Sequence, residues 1–87
     1  MKEYSAMLSN LESHNIPIKD SEFNEEAFGS WYIETQSEPV YRIVHDGRDK
    51  TIVLEVNNNN EWTSLMFDKT ITGKYVIQRL VEELDVL

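Results

Sequence analysis

The chain has 87 residues, 40% of them hydrophobic, and sixteen acidic residues against eight Lys and Arg give a net charge of −8. A chain this short buries only about 60% of its unfolded surface, so it forms one domain, residues 1–87, without a separate catalytic insert. The charge argues against non-specific binding to DNA or RNA, whose phosphates repel an acidic surface, and the lack of cysteine excludes disulfides, thiolate metal sites and a cysteine nucleophile.

The spacing predicts a first helix from Lys2 to about Ser13, because Tyr4, Met7, Leu8 and Leu11 recur at i, i+3, i+4 and i+7. His14-Asn15-Ile16-Pro17 ends it, since a residue before Pro is biased out of the helical region. Asp20 to Phe28, rich in Ser, Asn and Glu, reads as one helical turn or a loop. Gly29 then lets the chain turn sharply into a strand.

Four strands follow, rich in β-branched and aromatic residues: Trp31 to about Thr35, Val40 to His45, Thr51 to Val56 and Glu61 to Phe67. Asp46-Gly47 is expected to supply the positive-φ pair of a tight hairpin. Asn57 to Asn60 forms a second turn, since Asn tolerates left-handed backbone. Pro39 has no N–H and belongs at a strand start or edge. A closing helix begins near Thr72 or Gly73, with Thr72 as N-cap, and runs to about Leu84. Val76, Ile77, Leu80, Val81 and Leu84 make its apolar stripe. Glu82, Glu83 and Asp85 lie at its negative end, which is mildly unfavourable.

The expected architecture is α+β: a four-stranded antiparallel meander flanked by N- and C-terminal helices (α-β-β-β-β-α), both on one face. Alternation within strands puts Tyr41, Ile43, Ile52 and Leu54 on the helix-covered face, and a matching loop at Asn57–Asn60 adds Thr63, Leu65 and Phe67. The opposite face then carries Val40, Arg42, Val44, Val53, Glu55, Trp62, Ser64 and Met66, which is apolar for a solvent face. Aromatics, Met and Arg are the residue types enriched at interfaces, so this face is a candidate partner surface, with a symmetric homodimer as one version. In the alternative, a bulge flips the parity and Trp62 and Met66 belong to the core. The first hairpin leaves Trp31 and Ile33 open: a loop over Gln36–Glu38 turns them inward, a shorter one outward.

Groups for catalysis are sparse. His14 and His45 are isolated from each other. His45 beside Asp46 and Asp49 is the one arrangement that could hold a metal, yet the segment lacks the oxygen spacing of a calcium loop and Arg48 opposes a cation. Glu25/Glu26 and Glu82/Glu83 are sequence neighbours that a helix points about 100° apart, not paired acids and bases. The expectation is a non-enzymatic protein without cofactor or metal. Its candidate partner-binding residues are Glu25, Glu26, Glu34, Arg42, Glu55, Trp62 and Met66, with Asp20 and Glu22 adding to the acidic cluster. Arg42 and Glu55 are expected to be neighbours on the open face. The start Met1-Lys2-Glu3-Tyr4 lacks a following apolar region, so no signal peptide is expected. No run approaches the ~18 apolar residues of a membrane span, and the missing cysteines favour the cytoplasm.

The segment Phe28-Gly29-Ser30-Trp31-Tyr32-Ile33, followed by Arg42-Ile43-Val44-His45-Asp46-Gly47-Arg48-Asp49, resembles small bacterial immunity proteins over about half the chain. The resemblance implies a cytoplasmic partner that neutralises a cognate polymorphic or contact-dependent toxin. The net charge, the sparse catalytic groups and the apolar second face add the expectation that it acts by occlusion, covering a basic active cleft. It carries over no individual functional residue.

Overall fold

The computed structural model describes residues 2–69 and 73–84. Helix α1 (Lys2–Ser13) is followed by β1 (Ile18–Asn24), a 3-10 turn (Glu25–Ala27), β2 (Ser30–Thr35), β3 (Tyr41–Asp46), β4 (Thr51–Asn58), β5 (Glu61–Lys69) and α2 (Lys74–Leu84). The strands pair antiparallel in chain order, β1-β2-β3-β4-β5. The α+β meander holds, with five strands rather than four. Among the described residues no helix is long and apolar enough to cross a membrane.

The additional strand, β1, occupies the stretch expected to be a turn or loop, and only its last part, Glu25–Ala27, is helical. Its register against β2 shifts between Ile18 and Asp20, so its apolar residues do not alternate. Its middle core-facing position is Ser21, opposite Ile33; the Ser21 hydroxyl is satisfied by the Tyr4 hydroxyl of α1 at 2.8 Å. A strand with a bulge and a polar inward residue shows no period-2 pattern.

Helix α1 stops at Asn15, which takes φ 58°. The Ile16 amide donates to the Leu11 carbonyl at 3.0 Å and the Asn15 amide to Glu12 at 2.9 Å, the two bonds of a Schellman cap. Ile16 is buried beside the helix end. At the start of α2 the Gly73 carbonyl accepts from Val76 and Ile77; the expected N-cap Thr72, like Asp85, lies outside the described residues. Glu83 pairs with Arg79 one turn earlier at 2.8 Å.

The β3–β4 loop spans four residues between Asp46 and Thr51. Its left-handed residue is Lys50, φ 58°, not the Asp46-Gly47 pair. Gly47 serves by closeness instead: a Cβ there would overlap the Phe28 carbonyl. The Asp46 carboxylate accepts from the Arg48 amide at 2.9 Å and the Asp49 amide at 3.2 Å, so it holds the turn. In the β4–β5 hairpin the turn contracts to Asn59 and Asn60, both at positive φ, as a two-residue I′ loop requires. Pro39 lies in the loop before β3.

One face of the sheet carries Trp31, Ile33, Tyr41, Ile43, Ile52, Leu54 and Val56, packed with Met7 and Leu11 of α1 and Val76, Ile77 and Leu80 of α2. Both helices cover this face. Trp31 and Ile33 therefore point inward. Burial of each such side chain contributes about 1.5–3 kcal/mol. Tyr4, Phe23 and Trp31 form an aromatic group with centroids 5.6 and 5.7 Å from the Tyr4 ring.

Strand β5 departs from the expected parity. Its register shifts where Ser64 opposes Glu55 and Met66 opposes Leu54, leaving Leu65 as the extra residue of a bulge. Leu65 and Met66 both pack against the core. Phe67, expected in the core, faces the other way, opposite Val53, and is 68% exposed. Met66 is therefore not on the open face, whereas Trp62, opposite Asn57, is.

Candidate functional site: the open sheet face

Cross-strand pairing arranges the uncovered face in rows. One runs Glu22–Tyr32–Val44–Val53–Phe67, each residue directly opposite the next. It is an apolar band across β2 to β5, with a carboxylate beyond it on β1 and an exposed ring at the β5 end. The neighbouring row runs Asp20–Glu34–Arg42–Glu55–Ser64 and is charged except at its end.

Within the charged row, Arg42 Nε and Nη2 donate to Glu55 Oε1 at 3.0 and 2.8 Å, and Nη1 lies 3.9 Å from Glu34 Oε2. The guanidinium carbon sits 3.9 Å above the Trp62 ring, a cation–π contact. Arg42 is thus held flat by two carboxylates and an aromatic plate, and the group retains a net negative charge. The rows are joined on β1 and β2: the Tyr32 hydroxyl donates to Asp20 Oδ2 at 2.9 Å. That bond raises the Tyr32 pKa above its ordinary value, helped by burial and by Asp20, Glu22 and Glu34 nearby. Tyr32 stays a neutral donor, its hydroxyl tied to Asp20.

Of the residues singled out from sequence, Glu34, Arg42, Glu55 and Trp62 come together here. Glu25 and Glu26 do not; they are exposed on the 3-10 turn, near a cleft of about 210 Å³ lined by Glu22, Ala27, Tyr32 and Val44. Phe67 is the residue that sequence reasoning missed. The signal was the run Leu65-Met66-Phe67, three apolar residues that no unbroken strand can place on one face.

His45 belongs to the opposite side. It is 4% exposed and stacks on Trp31 with centroids 5.1 Å apart and planes 17° from parallel. Burial pushes its pKa below the ordinary value, with Glu3 acting against and Lys50 with that shift. Asp46 holds its own turn, so His45, Asp46 and Asp49 do not converge. Among the described residues no group of three His, Cys, Asp or Glu side chains could hold a metal ion. Compared with known proteins, the chain matches no family model, no curated protein and no solved structure.

Proposed function

We propose that this protein is a non-enzymatic binding module whose open sheet face covers a basic surface of a partner protein. The reading extends to an immunity or antitoxin-like inhibitor, acting in the cytoplasm by occluding the basic active cleft of a toxin domain. The observation that carries it is the uncovered band Tyr32–Val44–Val53–Phe67 beside a row of carboxylates. Apolar contact supplies affinity in such an arrangement, while charge sets approach and orientation. The net charge of −8 supports a basic partner through steering. Face-to-face self-association is less favoured, because it would bring Asp20, Glu22, Glu34 and Glu55 of two copies together.

The test is affinity capture from the native host's lysate at low and high salt, using the wild type beside Phe67→Ser and Glu55→Gln variants checked for folding by circular dichroism. The expected result is one stoichiometric basic protein, released by salt and lost from the folded Phe67→Ser variant. Equal retention by both variants, or no retained protein, would reject the open face as the binding surface.

A further inference from the structure

The two edges of the sheet differ in whether they can pair with a copy of themselves. An edge strand exposes a row of unpaired backbone groups and invites another strand. On β1, Asp20 and Glu22 share the open face. Any antiparallel self-pairing centred on this strand that keeps side chains on matching faces sets Asp20 against Glu22, Asp20 against Asp20 or Glu22 against Glu22. Directly opposed like charges are destabilising. The β1 edge is closed by its charges.

β5 is hydrogen-bonded to β4 and ends the sheet on the other side. Its bulge puts Thr63, Leu65, Met66 and Asp68 on the helix side and Trp62, Ser64, Phe67 and Lys69 on the open side. Two such strands running antiparallel about a two-fold axis have one register in which every face matches. There Trp62 lies opposite Lys69 of the second copy, Thr63 opposite Asp68, Ser64 opposite Phe67 and Leu65 opposite Met66. Moving the register by one residue crosses the faces at every pair except the one on the axis. Moving it by two sets Ser64 against Leu65, or Met66 against Phe67, from opposite faces. The surviving register contains no like-charge pair. It brings Leu65 and Met66 of the two copies together about the axis, while Asp68 keeps accepting from the Lys69 amide at 2.8 Å and Trp62 keeps the Arg42 guanidinium 3.9 Å from its ring.

We propose that two copies of this chain join edge to edge through β5, in this register, into a continuous ten-stranded antiparallel sheet. The contact is isologous and leaves the open faces of both copies uncovered, side by side. It shares Trp62 and Phe67 with the partner-binding reading but uses the strand edge where that reading uses the sheet face. A strand-wide contact is smaller than the roughly 1,200–2,000 Å² of stable complexes, so association is expected at micromolar concentration. The charge of −8 on each copy opposes assembly, so raising salt from a low level strengthens it, opposite in sign to capture of a basic partner.

The experiment is sedimentation equilibrium of the full chain over a concentration series, with substitutions at Thr63, which is exposed and on the helix side. Thr63→Asp sets a carboxylate against Asp68 twice, and Thr63→Lys sets an ammonium there. Ser9→Asp and Ser9→Lys, on the exposed part of α1, change net charge equally and serve as controls. The expected result is a wild-type dimer, about tenfold weaker for Thr63→Asp and tighter for Thr63→Lys, with the Ser9 pair near wild type. Amide exchange in β5, and not β1, should slow as concentration rises. A wild type monomeric at every loading and salt would overturn the proposal. A dimer equally sensitive to Ser9 and Thr63 substitutions, or protected at β1, would overturn the β5 register.

Discussion

The two faces of the sheet are built from the same strands by alternate residues, yet they obey different rules. On the helix side, Ile33, Ile43, Ile52 and Leu54 lose nearly all contact with water, and the buried polar groups are Thr35 and His45. Thr35 is satisfied by accepting from the Tyr41 amide at 3.1 Å and by the Ser37 hydroxyl at 2.6 Å. On the open side, residues stay half-exposed and polar groups are satisfied by one another across strands. The first face is specified by exclusion of water, the second by pairing. Large stability effects should therefore lie on one face and recognition effects on the other.

Adjacent residues of β4 provide the strongest test. Leu54 is 0% exposed and faces the helices, whereas Val53 faces outward between Val44 and Phe67. Leu54→Ala should cost about 2–5 kcal/mol, the lost transfer energy plus a cavity. Val53→Ala, with solvent already present, should cost under about 1 kcal/mol. Urea denaturation of both variants checks the contrast. Comparable losses would mean that the outward face is covered by something that stabilises the chain as strongly as the helices do.

How much of this was legible in the sequence depended on whether local pattern and tertiary contact agree. β2, β3 and β4 alternate without interruption, and their expected bounds fall within one or two residues of those observed. β1 was hidden because its inward Ser21 is polar and is paid for by Tyr4, a contact seventeen residues away that no local window contains. The exchange of Met66 and Phe67 had the same kind of origin. A single extra residue, Leu65, inverts every position after it, and loop length alone does not fix where such a bulge falls. Within the site, Arg42 and Glu55 were accessible because a hairpin sets them opposite each other. The Tyr32–Asp20 link was not, because it requires the unseen strand.

His45 sharpens the comparison by pH. Its pKa is depressed mainly by burial from an ordinary value near 6.5, so the folded protein binds fewer protons there than the unfolded chain. Stability is then intact above the unfolded pKa, declines as pH falls below it, and levels off below the folded pKa. The slope is at most about 1.4 kcal/mol per pH unit within that window. Glu3, whose carboxyl is held low chiefly by a backbone hydrogen bond, contributes stability that is lost only at more acidic pH. Denaturation midpoints of wild type and His45→Gln between about pH 7 and 5 should converge as the pH falls, because only the wild type has an imidazole to protonate. Parallel profiles would mean that the imidazole is solvated in the folded state and that the helix-covered face is wetter than Trp31 and α1 suggest.

The smallest expected effect bears on the open face itself. Arg42 and Glu55 keep 27% and 20% of their side-chain surface, so water screens their attraction. A double-mutant cycle with Arg42→Met and Glu55→Gln should give a coupling of at most about 1 kcal/mol, with less for Arg42 and Glu34 at 3.9 Å. Trp62→Ala should remove roughly 0.5–1 kcal/mol of stacking on the guanidinium without unfolding the chain, while weakening capture of a partner. A coupling above about 3 kcal/mol would be that of a desolvated pair. It would assign Arg42, Glu55 and Trp62 to a second core and remove the distinction between the two faces. A small coupling combined with a large loss of binding would give these residues the pattern expected of a recognition surface: cheap to alter in the fold and costly to alter for the partner.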